Sequence, residues 1–135
     1  MQTLADVDDP KLEAMIEAMF LAAHADGDFS DEERAHFATS VETLTDRRLS
    51  GERLTELLAR IEKGVEADGA EARLKGLKDR LTTPALREIA LELAVKLMAS
   101  DGIVRTSERE LIMDAADALD IDRDRAADIV KSVAG

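Results

Sequence analysis

Two stretches of the chain keep one register through a helix-forming segment, an Asp-Gly bend and a second helix-forming segment, with 75 residues between equivalent positions. Setting Asp26 on Asp101 brings Glu17 onto Glu92, Gly27 onto Gly102, Glu33 onto Glu108, Arg34 onto Arg109 and Leu44 onto Leu119. The apolar positions follow, since Ile16 falls on Leu91, Phe20 on Val95, Phe29 on Val104 and Phe37 on Ile112. A duplicated helical hairpin accounts for this pattern, because one such unit cannot bury its apolar face alone. Two copies packed about a pseudo-twofold axis are therefore expected. Ala67-Asp68-Gly69 resembles a third bend, but in its register Glu33 falls on Lys75, so it is read as a turn only.

No stretch alternates with period two, and two Pro and seven Gly in 135 residues leave room for long helices. Asp9-Pro10 reads as a cap followed by proline, opening a helix with Leu12, Ile16, Met19 and Ala23 inward and ending at Asp26-Gly27. Ser30 and Glu33 form a capping-box pattern before a helix with Phe37, Val41 and Leu44 inward. Ser50-Gly51 restarts the chain into a helix carrying Leu54, Leu57, Leu58 and Ile61. Gly64 and Asp68-Gly69 should loosen the middle, before a short helix through Leu74, Leu77 and Leu81. Thr83-Pro84 repeats the cap-plus-proline start ahead of Leu86, Ala90, Leu93 and Leu97, ending at Asp101-Gly102. Thr106 or Ser107 should cap a helix with Leu111, Ile112, Ala115 and Leu119, and Asp122 should start a last one through Ala126, Ile129, Val130 and Val133. The expected fold is all-α, about seven helices in a single domain over 1–135 with two pseudo-symmetric helix-loop-helix repeats. Repeat 1 spans about 9–48, the middle helices about 50–81, repeat 2 about 83–120 and the terminal helix about 122–133.

Thirty acidic residues against 18 basic ones give a net charge of −12, which opposes the phosphate attraction that nucleic-acid and anionic-membrane binding depend on. The absence of Cys excludes disulfides, thiolate catalysis and cysteine-type zinc or iron–sulfur sites. His24 and His36 lie twelve apart with no third His, so an all-imidazole metal site is excluded and both read as surface or boundary residues. No apolar run reaches membrane-spanning length, and the first ten residues lack the basic-then-apolar order of a signal peptide, so a cytoplasmic location is expected. Ser30, Ser50, Ser100 and Ser107 occupy loop or capping positions with no motif locating a base, and three Phe make a poor pocket wall, so no enzyme activity is expected. Met15, Met19, Met98 and Met113 read as core filler. The acidic stretch 114–128, interleaved with Arg123 and Arg125, reads as a solvated face.

The Asp-Gly bends are the one chemical lead. Gly27 and Gly102 are explained by helix termination, whereas Asp26 and Asp101 face the negative end of a helix dipole and call for compensation. Counting on from Ala23 and Leu97 by three and four points both carboxylates toward a neighbouring helix. Two compensations remain open: backbone N–H donors of the loop, with Glu33 capping Ser30, or a hard divalent cation held by Asp, uncapped carbonyls and Glu33 or Glu108. The first loop is the richer in oxygens, with Asp26, Asp28, Ser30, Asp31, Glu32 and Glu33; the second has Ile103, Val104 and Arg105 instead. An EF-hand is excluded, because Asp31 and Phe37 fall where that loop requires Gly and Glu.

The segments HADGDFSDEER at 24–34 and ASDGIVRTSER at 99–109, followed by ALDID at 118–122, resemble the paired loops of the TerB-like family, named for a tellurite-resistance protein. That resemblance covers most of the chain and implies an all-helical domain of about seven helices with internal pseudo-symmetry and an acidic surface. It also implies a divalent-metal site, carried here by Asp26, Glu33, Asp101 and Glu108; the expected cofactor is a divalent cation such as calcium or magnesium. The expected function is a cytoplasmic accessory module of stress or tellurite resistance that binds a divalent cation through loop carboxylates. The alternative is a metal-free acidic helical domain that recruits a basic protein partner; neither involves nucleic acid or membrane insertion.

Overall fold

In the computed structural model, residues 7–23, 30–99 and 106–134 are described. They form α1 (Asp9–Ala23), α2 (Asp31–Leu44), α3 (Gly51–Asp68), α4 (Ala70–Arg80), α5 (Pro84–Met98), α6 (Thr106–Ala118) and α7 (Arg123–Ala134). No strand occurs among the described residues. Asp9 and Pro84, Ala23 and Met98, and Asp31 and Thr106 are each 75 apart, so the helix boundaries keep the interval found in the sequence. Among the described residues α1 packs most extensively on α5, while α2 packs on α5 and α6 on α1. Each hairpin's second helix thus touches the other hairpin's first.

The helix starts show which side chains satisfy the free N–H groups. At α1 the cap is Asp8 rather than Asp9: its carboxylate accepts from the Lys11 N–H at 3.1 Å and its carbonyl from Leu12 N–H at 2.9 Å. Asp9 is instead ion-paired with Arg48 and Arg53. Thr83 caps α5 as expected, accepting from Leu86 N–H at 3.2 Å with Pro84 first in the helix. Thr106 and Ser107 already belong to α6, so neither precedes it as a cap. Asp122 caps α7 by accepting from Asp124 N–H at 2.8 Å.

Helix α1 is enclosed on nearly all sides. Leu12, Ala14, Met15, Ile16, Ala18, Met19, Phe20, Leu21 and Ala22 are all buried, a wider face than the expected stripe, because α3, α4, α5 and α6 all pack on this one helix. Its repeat mate α5 buries Leu86, Ala90, Leu91, Leu93, Ala94, Val95, Leu97 and Met98. Phe20 meets Phe37 of α2 edge to face, ring centroids 5.7 Å apart. Met15, Met19 and Met98 are core residues, and Asp114, Asp117, Asp120, Asp122, Asp124 and Asp128 are all exposed.

The middle is tighter than its glycines suggest. Gly64 lies inside an unbroken α3, and the break before α4 is the single residue Gly69, at φ 87° and ψ 149°, a conformation open essentially to glycine alone. Its N–H still bonds Val65 C=O and its C=O already accepts from Arg73 N–H. Arg87 of α5 donates to the carbonyls of Leu81 and Lys78, closing the C-terminal end of α4.

Candidate functional site

Glu33 and Glu108 each occupy the third residue of the helix that follows an Asp-Gly bend, Glu33 in α2 and Glu108 in α6. Glu33 completes the capping box: Ser30 Oγ accepts from Glu33 N–H at 3.1 Å, and Glu33 Oε1 accepts from Ser30 N–H at 3.2 Å. The capping expectation is therefore realised at this carboxylate. Glu33 is exposed and Glu108 half-buried. Asp26 and Asp101, with His24, lie outside the described residues. Among the described residues no three His, Asp or Glu side chains gather where one ion could hold them, so Glu33 and Glu108 alone do not make a site. As hard oxygen donors they suit calcium or magnesium in kind. His36 is exposed on α2, as a surface histidine.

Next to Glu33, Arg34 binds Glu62 of α3 through Nε and Nη2 and Asp31 through Nη1 at 2.9 Å. The hydrogen bond to Glu62 is the main reason its guanidinium holds its proton even more firmly than usual. This contact ties the start of α2 to α3. Its repeat mate Arg109 is exposed on α6.

The most buried ionic group among the described residues is not one of the candidate ligands. Glu17 is 3% exposed in the middle of α1. Arg73 donates Nε to its Oε2 and Nη2 to its Oε1, both at 3.0 Å, and Arg80 adds Nη1 to Oε1 at 3.1 Å. It ends a stripe of acids one helical turn apart: Asp9 meets Arg48 and Arg53, Glu13 meets Arg60 at 2.8 Å, and Glu17 meets Arg73 and Arg80. The side chains grow less exposed along the stripe, from 55% to 24% to 4%. Gly64 makes the last contact possible, since a Cβ there would stand 2.8 Å from Arg73 Cζ. A lone Glu inside the apolar run AMIEAMF is a partial signal, shared by Glu92 in IALELAV, because a charge buried in such a segment must find partners. Arg73, Arg80 and Glu17 satisfy one another, and no buried polar side-chain atom among the described residues is left without a partner. Their role is to hold α4 to α1.

Seven helices among the described residues, with Glu33 and Glu108 each third in a helix that follows an Asp-Gly pair in the sequence, make this an all-helical acidic chain. The chain matches the family model for tellurite resistance protein TerB over residues 12–131, and it belongs to that family. No curated protein and no solved structure matches it. No helix among the described residues is long and apolar enough to cross a membrane.

Proposed function

We propose that this TerB-family chain is a cytoplasmic accessory module of tellurite or stress resistance that works by binding rather than catalysis. A divalent cation, calcium or magnesium, is held by loop carboxylates, with Asp26, Glu33, Asp101 and Glu108 as ligands and water completing the shell. The observation that carries this is the equal placement of Glu33 and Glu108, third in α2 and α6, each seven residues after the Asp of its Asp-Gly bend. A net charge of −12 adds a field that draws cations to the surface.

Calorimetric titration with calcium and with magnesium, paired with thermal melts, tests it. A ligand at about a hundredfold excess over Kd stabilises the folded state by about 2.7 kcal/mol. Glu33→Gln is the informative variant, because Gln serves a capping box as Glu does but removes the charge. Expected are an unchanged melt in chelator and a reduced shift with cation, with Asp26→Asn acting likewise. Neither heat nor a melting shift with either ion refutes cation binding and leaves the acidic domain as a metal-free partner for a basic protein.

A further inference from the structure

Between α4 and α6, over the C-terminal part of α1, lies a cleft of about 540 Å³. That is within the size range of ligand clefts, about 300–1,000 Å³. Leu21, Leu74 and Ala118 supply its apolar surface, Asp114 and Asp117 form an acidic wall on α6, and the paired Glu71 and Lys75 line the α4 side. Leu21 is 2% exposed and closes the bottom, while Leu74 and Ala118 are half-buried. The nearby cations are already committed, Lys75 to Glu71 at 3.1 Å and Arg123 to Asp117 at 2.6 Å. Asp114 makes no direct ion pair among the described residues, although Arg123 acts on it at longer range, and exposed Glu110 stands one turn before it on α6. Like charges four residues apart weaken a free helix by a few tenths of a kcal/mol. A base seated opposite reverses that sign.

We infer that this cleft docks a basic amphipathic helix of a protein partner, which places an apolar side chain over Leu21 and Leu74 and its Lys or Arg residues against Asp114 in the cleft and Glu110 beside it on α6. The apolar floor demands an anchor that a purely cationic ligand lacks, and the acidic wall rejects an acidic partner. Neither Glu33 nor Glu108 lines the cleft, so docking stands or falls separately from cation binding.

The test uses the full chain and a fluorescein-labelled 15-residue helical peptide of Leu and Lys, with Leu on one face, read by anisotropy. A second peptide has every Leu replaced by Gln and keeps the charge. Asp114→Lys is compared with Glu56→Lys, the same charge change at an exposed site on α3. Expected are saturable binding of the Leu peptide, weakening of about tenfold by Asp114→Lys and of less than about twofold by Glu56→Lys, and no saturation with the Gln peptide. Equal weakening by the two variants, or equal binding of the two peptides, overturns the proposal in favour of unspecific attraction to an acidic protein. A chain that sediments as a dimer and is made monomeric by Asp114→Lys overturns it in favour of a second copy in the cleft.

Discussion

Replacing Gly64 by Ala should destabilise this protein, although helix propensity alone says the opposite. Gly64 lies inside α3, where Ala is favoured over Gly by about 1 kcal/mol. An added Cβ would stand 2.8, 2.9 and 3.1 Å from Cζ, Nε and Nη2 of Arg73, closer than ordinary contact. The guanidinium cannot swing away freely, because Nε and Nη2 bind the carboxylate of Glu17, whose side chain is 4% exposed. Hydrogen bonds to a charged group contribute about 1.5–3 kcal/mol each, and breaking a buried pair costs about 3–5 kcal/mol. Arg80 remains on Glu17 and Arg73 is partly solvated, so displacing the fork should cost about 2–3 kcal/mol, leaving a net loss of about 1–2 kcal/mol. In an Arg73→Ala background the obstacle is gone, and Gly64→Ala should stabilise by about 1 kcal/mol. Urea unfolding of the four members of this cycle reads both values. If Gly64→Ala stabilises the parent as much as it stabilises the Arg73→Ala protein, the account of the Arg73 fork is wrong.

Three further outcomes follow from local geometry. Asp120 sits at φ 60° after α6, where Ile121 N–H bonds Ala116 C=O and Asp120 N–H bonds Asp117 C=O, so Asp120→Gly should raise stability by about 0.5–1 kcal/mol in chemical denaturation. Ser30→Ala removes one half of the capping box and should lower stability by about 1 kcal/mol, whereas Glu33→Gln in chelator should be close to neutral; thermal melts compare them. The Asp117 carboxyl, held below the usual aspartate range chiefly by its hydrogen bonds from Arg123, should show a lowered midpoint in a carboxyl NMR titration. Because the folded value is the depressed one, the pair's support is complete above the ordinary aspartate range and fades as pH falls through the folded midpoint. Arg123→Gln should return that midpoint to the ordinary range.

Helix order was legible because its signals act within a few residues. Apolar spacing, the Ser30–Glu33 box, Thr83-Pro84 and Asp122 all work on neighbours in the chain, and each is found at its helix. Local signals also misplaced features. Asp8 and Asp9 are equally good caps as residue types; the fold uses Asp8 as the cap and pairs Asp9 with Arg48 and Arg53, partners about 40 residues away that no local pattern supplies. The candidate loop residues were legible as oxygen donors, and Glu33 is seen to carry a capping bond, a role that its spacing from Ser30 announced.

The sequence by itself determined an acidic all-helical chain with a hairpin repeated after 75 residues, since charge, periodicity and repetition are properties of residue order. Tertiary structure alone decided which of two equivalent acids went inside. Glu17 and Glu92 share a register, yet Glu17 is enclosed with Arg73 and Arg80, while half-exposed Glu92 meets Lys96 one turn along its own helix. The partners of Glu17 lie 56 and 63 residues away. They reach it because α4 folds back over α1 and Gly64 leaves room for a guanidinium to pass, a juxtaposition that packing creates and that no local pattern encodes.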